Sequence, residues 1–596
     1  MRSKVSLVSI AILISLAVPS WAKESHQTYE VVVERAVKAT MRDGVVLRAD
    51  IYRPRSEGKF PVLLERTPYD KNGGLLFGMK AAAKGYVVII QDVRGRYTSG
   101  GEWYVFKHES DDGYDTVEWA ASLPFADGRV GMFGGSYVGA TQMLAAISHP
   151  PHLAGICPIV TASNYHNGWT YQGGAFEQWF NESWTSSLAQ DTMNRNLTAA
   201  TNARIGEDVL PLRKYPLFNS SANMQELMPV AAPYFLDWLD HPDYDDYWKG
   251  WSIEENYASI QVPALTVAAW YDIFQGGSLR NYQGMLAKAG NESARSKQRL
   301  LVVIGGHAGS GRKIGDLDFG PAAEEFNEND VILMWYDYLF YGVKNRFAGD
   351  KPVRIFVMGT NVWRDEEAWP LARAQKTKYF LANENAAGPA AAGLLSTSSA
   401  AGKVSESYVY DPMKPAPTTG GPLCCDSEHL APGPYDQRPV EAREDVLSYS
   451  TPVLTQDTEV TGPVTLELYA ASSAVDTDFT AKLVDVWPNG YAQNLTEGIL
   501  RASYRDSETR PYALEPGKVY PFNIDLWSTS NVFLKGHRIR LEVSSSNFPR
   551  FDRNLNTGKS AANDQTSVKA TNTIYHDAQH PSALILPLVI LPFAAK

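Results

Sequence analysis

The sequence predicts a mixed α/β domain on a largely parallel sheet, interrupted by a helical insertion and followed by an all-β domain. Three observations predict it. Short apolar runs alternate with helical stretches over residues 23–165 and again over 252–369, the texture of a sheet covered on both faces. Between them, over 166–251, strands fade and Trp, Gln, Asn and Met become frequent. Over 370–596, short alternating runs separated by turn residues take over, as in a β-sandwich or jelly roll.

The elements follow in order. Residues 1–22 form a targeting signal. Arg2 and Lys4 make a positive head, residues 5–18 are nearly all apolar, and Pro19 is followed by Ser20, Trp21 and Ala22, with small residues at the positions a signal peptidase reads. The apolar run is too short to span a bilayer. The expectation is cleavage before Lys23 and export to the periplasm or the medium. Strands are expected over 61–65, 85–90, 129–133 and 155–160, with helices over 112–123, where Tyr114, Val117, Trp119 and Leu123 recur at helical spacing, and over 137–147. The insertion, 166–251, is expected to be a helical cap. Alternation resumes with strands at 264–269 and 298–304 and helices at 278–289 and 325–341. Residues 386–401, rich in Ala, Gly and Ser, suggest a flexible surface loop. Strands at 464–469 and 538–543 belong to the last domain.

The chain has 596 residues and a net charge of −11, without a long Lys/Arg run, which excludes a nucleic-acid partner. Of the three cysteines, Cys157 lies in an apolar strand, and the adjacent Cys424 and Cys425 are either a vicinal disulfide or two thiols in a turn. The acidic run from His241 to Asp246 suggests a helix start with capping carboxylates rather than a calcium loop. No zinc-binding or Walker motif occurs, so no metal or nucleotide cofactor is expected.

The chemistry concentrates in Gly134-Gly135-Ser136-Tyr137-Val138-Gly139, between a strand and a helix. A serine on such a turn is held clear of the sheet, and the helix N-terminus behind it favours an oxyanion. Val138 stands where the common G-x-S-x-G pattern has its second glycine. A serine nucleophile needs a base, and the base needs a carboxylate. Asp272 follows the strand at 264–269, and His307 follows the strand at 298–304. Both lie beyond strand C-termini, where open α/β sheets bind ligands, and in the chain order Ser, Asp, His of α/β-hydrolases. Ser136, Asp272 and His307 are therefore the candidate triad of an α/β-hydrolase domain with a helical cap.

These residues resemble a family that groups bacterial cocaine esterase, α-amino-acid ester hydrolases, cephalosporin glutaryl acylases and X-prolyl dipeptidyl peptidases. The resemblance runs through Thr40 to Val45, Arg66-Thr67-Pro68-Tyr69, Asp92-Val93-Arg94-Gly95-Arg96, the serine turn, Trp270-Tyr271-Asp272 and Asp436-Gln437-Arg438. It implies that Tyr69 and the backbone N–H of Tyr137 bind the oxyanion, that Trp169, Trp184 and Phe274 line the acyl pocket, and that the 92–101 loop braces the site. Two departures stand out. Gly305 replaces the Trp usually found two residues before the histidine. Ile273, Phe274 and Gln275 follow the acid where amino-acid ester hydrolases carry acidic residues, and all three are expected to face the cleft, since the loop leaves the C-terminal end of its strand beside the triad.

The expectation is an ester-cleaving serine hydrolase acting through an acyl-enzyme on Ser136, with a small-molecule ester or amide as its partner. Self-association into a homo-oligomer is left open. The alternatives are an amidase or peptidase of the same family and a non-catalytic carbohydrate-binding protein.

Overall fold

The computed structural model describes residues 28–196, 231–307, 309–383, 393–398, 405–559, 564 and 566–590. The signal segment, its junction at Lys23 and the middle of the insertion lie outside the described residues.

The first sheet is built from β1 (Val31–Thr40), β2 (Val46–Pro54), β3 (Phe60–Thr67), β4 (Val87–Asp92), β5 (Ala126–Gly135), β6 (Leu153–Ile159), β7 (Leu265–Tyr271), β8 (Arg299–Gly306), β9 (Val353–Val357) and β10 (Val362–Glu366). Its spatial order is β1-β2-β4-β3-β5-β6-β7-β8-β9-β10, with Gly309–Ser310 added beside β8. From β4 to β9 all neighbours are parallel, and the two edges are antiparallel. The central strands β4 and β7 are buried along their whole length. That is why they carry apolar runs without alternation, Val87–Ile90 and Val267–Tyr271.

Helices cover both faces. On one side lie α2 (Glu109–Ala121) and α3 (Tyr137–Ile147), whose apolar residues share a core with Val62, Leu64, Val130 and Met132. On the other lie α1 (Leu75–Ala83) and α7 (Glu328–Tyr341), against Leu63, Val88, Phe133 and Val267. The cap contributes α4 (Gln178–Asn196) and α5 (Pro233–Asp240). It opens, however, on a small hairpin, Tyr171–Gln172 against Ala175–Phe176, that the helical expectation did not include. Asp245 caps the short helix Asp246–Lys249 by accepting from the Tyr247 N–H and pairs with His241 at 2.6 Å, so the acidic run is a helix start.

The second sheet is all-β and mainly antiparallel. It holds β11 (Gln375–Ala382), β12 (Gly393–Ser396), β13 (Ser405–Tyr410), β14 (Leu447–Ser450), β15 (Thr458–Ser472), β16 (Asp478–Val486), β17 (Ala492–Arg501), β18 (Tyr520–Phe533), β19 (Arg538–Ser544), β20 (Ala570–Tyr575) and β21 (Ala583–Val589). The ladder runs β13-β20-β15-β21-β11-β12-β14-β19-β16-β17, with β18 on β15. Strand β12 falls inside the stretch expected to be a loop. Leu395 is buried there, and its pairing with β11 overrides the Ala/Gly/Ser composition around it. The core of this domain runs without a break into Trp270, Leu300, Val302 and Phe356 of the first sheet. Cys424 and Cys425 are joined as a disulfide, and Cys157 is a buried thiol in β6. Among the described residues no helix is long and apolar enough to cross a membrane, and no group of three metal-ligating side chains occurs.

Candidate active site

Strand β5 ends at Gly135, and Ser136 turns the chain into α3 with φ 62° and ψ −128°. This strained conformation throws the hydroxyl out of the sheet plane. The Ser136 N–H is tied to the Ile159 carbonyl at 2.9 Å, which fixes the turn to the neighbouring strand. The departure at Val138 now has a physical account. Gly134 sits at φ 122°, and a Cβ there would lie 2.4 Å from Val138 Cγ1. The side chain at 138 fills the space that Gly134 leaves empty.

Asp272 follows β7 and is fully buried; His307 follows β8. His307 Nε2 lies 2.8 Å from Ser136 Oγ, and Nδ1 lies 2.6 Å from Asp272 Oδ2. The second carboxylate oxygen accepts from the Phe274 N–H at 2.7 Å, so both oxygens of Asp272 are held. With a carboxylate on Nδ1, the Nε2 lone pair faces the serine, the arrangement of a general base with its tautomer fixed.

Tyr69 faces this chain from the loop after β3. The residue is 39% exposed, while desolvation of its phenol pushes it above its ordinary value. That oxygen accepts from Trp184 Nε1 at 3.0 Å and interacts with Ser136 and the backbone N–H of Tyr137, which oppose the shift in smaller part. The phenol is thus a protonated donor beside the first N–H of α3. Trp169, Trp184 and Phe274 gather beside the base. Trp169 and Phe274 stack at 4.3 Å, Trp169 meets Trp184 edge-on at 5.5 Å, and the Phe274 ring stands edge-on to His307 at 5.1 Å. The structure brings all eight residues singled out in the sequence to one place.

Sequence reasoning placed Arg96 in a bracing loop but missed the other supports. Glu109 is buried, accepts from Tyr137 Oη at 3.0 Å and is paired with Arg66 at 2.6 Å. Burial pushes the Glu109 carboxyl up, and Arg66 opposes it. The Tyr137 ring stacks on Phe106, whose N–H donates to the Tyr137 oxygen at 2.8 Å. Arg96, 1% exposed, donates to the Pro68 carbonyl at 3.0 Å and to Leu188 of α4 at 2.9 Å, joining the oxyanion loop to the cap. Phe180 completes the aromatic cluster, 5.4 Å from Trp169 and 5.3 Å from Phe274. The signal for it was present: Phe180, Trp184 and Leu188 recur at four-residue spacing along one face of α4. One expectation is corrected. Gln275 was read as facing the cleft after the acid, but its side chain points into the second domain and binds the backbone of Ser528.

A family model for X-Pro dipeptidyl-peptidase (S15 family) matches residues 43–309, and one for the X-Pro dipeptidyl-peptidase C-terminal non-catalytic domain matches 345–585. Cocaine esterase from Rhodococcus sp. (strain MB1 Bresler) is 39% identical over 574 residues, 93% of this chain and 98% of that one. The chain belongs to the cocaine esterase and X-Pro dipeptidyl-peptidase (S15) family. Solved structures share the fold over nearly the whole length. An aminopeptidase from the marine sediment archaeon Thaumarchaeota archaeon superposes with a TM-score of 0.80 at 24% identity, covering 99% of both chains. An α-amino acid ester hydrolase superposes with a TM-score of 0.77 at 24% identity, covering 97% of this chain and 100% of that one. These two likenesses show the fold. Family membership makes this S15 chain a serine hydrolase.

Proposed function

We propose that the protein hydrolyses carboxylic esters of neutral, apolar acyl groups through an acyl-enzyme on Ser136. The observation that carries this reading is the unbroken chain from Asp272 through His307 to Ser136 Oγ, at 2.6 and 2.8 Å, with Tyr69 and the Tyr137 N–H beside it. The Ser136 proton passes to His307 Nε2 as Oγ bonds to the carbonyl carbon. Asp272 stabilises the imidazolium, and the oxyanion lies between Tyr69 Oη and the Tyr137 N–H. His307 then returns the proton to the leaving alcohol, and water repeats the sequence on the acyl-enzyme.

The acyl preference rests on what surrounds the base. Trp169, Phe180, Trp184 and Phe274 pack as a buried aromatic cluster beside it. Of the two carboxylates at the start of the cap helix, Glu177 lies 3.6 Å from Arg550 with its carboxyl pushed up by burial to about 7, and Glu182 is pushed well above its ordinary value by the same cause. Neither is a free anion for a substrate ammonium, and an unpaired ammonium there would shed its water without return. The peptidase reading of the family needs such an anchor, so the ester reading is preferred. The signal segment supports export, with Lys23 as the mature N-terminus; N-terminal sequencing of protein from the outer compartment tests it, and retention of Met1 would refute it. A hydrolysis screen of purified protein against aryl esters, amino-acid esters, glutaryl amides and Xaa-Pro amides tests the function. Turnover of Xaa-Pro amides above aryl esters would overturn the ester reading.

A further inference from the structure

The turn that carries the acid is clasped from outside its own domain. Asp272 leaves β7, and Gln275 opens α6 (Gln275–Lys288) three residues later. Gln275 is 1% exposed. Its Nε2 donates to the Ser528 carbonyl at 2.5 Å, its Oε1 accepts from the Ser528 N–H at 3.2 Å, and Nε2 also reaches the Trp270 carbonyl at 3.4 Å. One primary amide thus closes both backbone groups of a residue 253 positions away and the strand just before the acid. The contact continues on either side. The Trp527 ring lies over Gly276 so closely that a Cβ there would sit 2.8 Å from the indole nitrogen, and Trp527 adopts φ 63° to place it. Tyr271 donates its hydroxyl to the Asn494 carbonyl of β17 at 2.9 Å.

These contacts bear on the acid's direction. The Asp272 carboxylate is oriented by the Phe274 N–H at 2.7 Å, and the Gln275 N–H closes the same turn on the Asp272 carbonyl at 3.1 Å. Gln275 ends that turn. A shift of its anchor rotates the peptide that holds Oδ1 and so moves Oδ2 relative to His307.

We propose that Gln275 is a positioning residue for the hydrolysis and that strand β18 of the C-terminal domain, through Ser528 and Trp527, sets the direction of the catalytic carboxylate. The domain whose family model is described as non-catalytic is then part of the catalytic apparatus through its backbone. The inference rests on the triad reading given above. A carboxylate misplaced by a fraction of an ångström stabilises the imidazolium less. The transition state then loses support, while ground-state substrate binding, made elsewhere, does not change.

The test compares Gln275→Met, which keeps length and burial but loses the clasp, with Gln275→Glu, which keeps the acceptor and loses the donor, and with Asp272→Asn as the control. All three are measured in the full-length protein with an aryl ester, and rates are expressed per fluorophosphonate-titrated site, so misfolded molecules do not count. Both Gln275 variants are expected to lower kcat about ten- to a hundredfold with KM within about twofold. The loss in kcat should be larger in Gln275→Met, which removes both the donor and the acceptor of the clasp. A kcat per titrated site unchanged in both variants, with Asp272→Asn strongly impaired, would overturn the clasp while leaving the triad standing. An unimpaired Asp272→Asn would overturn the triad reading, and the positioning role with it.

Discussion

Replacing Tyr69 by Phe removes one oxygen from the site and separates a role in the proposed mechanism from a contact in the fold. In that mechanism two donors, Tyr69 Oη and the Tyr137 N–H, converge where the carbonyl oxygen becomes charged. The phenol is held above its ordinary pKa by burial, so it donates throughout the working range. Its loss belongs to the transition state, where the oxyanion accepts far more strongly than the ground-state carbonyl. Removing one such donor costs about 2.7–4 kcal/mol, or roughly a hundred- to a thousandfold in kcat, with little change in KM. The same oxygen is the acceptor for Trp184 Nε1 at 3.0 Å. The mutant leaves that indole N–H without its partner, a cost of about 1–3 kcal/mol that falls on the folded state and is seen in thermal unfolding rather than in kcat. The assay is steady-state kinetics with an ester whose slow step is acylation or deacylation, beside a melting curve. The rate deficit should be constant across neutral pH. A kcat within threefold of wild type, or a loss confined to KM, would refute the oxyanion role.

Other outcomes follow from the same geometry. Ser136→Ala should abolish hydrolysis and fluorophosphonate labelling while leaving the melting temperature near wild type; labelling that survives in the mutant places the nucleophile elsewhere. With a common leaving group, a phenylacetyl ester should exceed a protonated phenylglycyl ester in kcat/KM by about a hundredfold, and the gap should close above the amine pKa; a protonated phenylglycyl ester that wins would reveal a carboxylate anchor. Glu177, raised by burial to about 7, contributes fully to stability below its unfolded value near pH 4.5 and loses that contribution as pH rises through 7. Glu177→Gln should therefore stabilise the protein at pH 8 by on the order of 3 kcal/mol and make no difference at pH 4. Unfolding curves at the two pH values check it, and equal effects at both would refute it.

The parallel sheet was legible because β4 and β7 carry unbroken apolar runs, Val87–Ile90 and Val267–Tyr271, and the triad because each member follows a strand with an apolar run. Ends were less legible. Helix α2 begins at Glu109, three residues before its apolar spacing starts, since its first turn carries Glu109, Asp111 and Asp112 on a positive helix end. The hairpin at 171–176 has strands of two residues, too short for any period to register. Gln275 was misplaced for a different reason. A local pattern gives the loop but not the side of it, and the partner that draws the amide away lies 253 residues further along. Glu109 and Arg66 were invisible because a buried ion pair looks, in sequence, like two surface charges.

Arg96 constrains how this enzyme can change. One buried guanidinium holds both the carbonyl before Tyr69 and the carbonyl of Leu188, four residues beyond Trp184 on the helix that carries part of the aromatic cluster. Any remodelling of α4 that makes room for a different acyl group pulls on the loop that presents the oxyanion donor. Variants selected for new substrates at Phe180, Trp184 or Leu188 should therefore lose turnover on the old substrate and on the new one together, until a second change restores the anchor. Breadth of substrate and speed are inherited as one trait here, and lineages that diverge in acyl preference should show paired substitutions around residue 96.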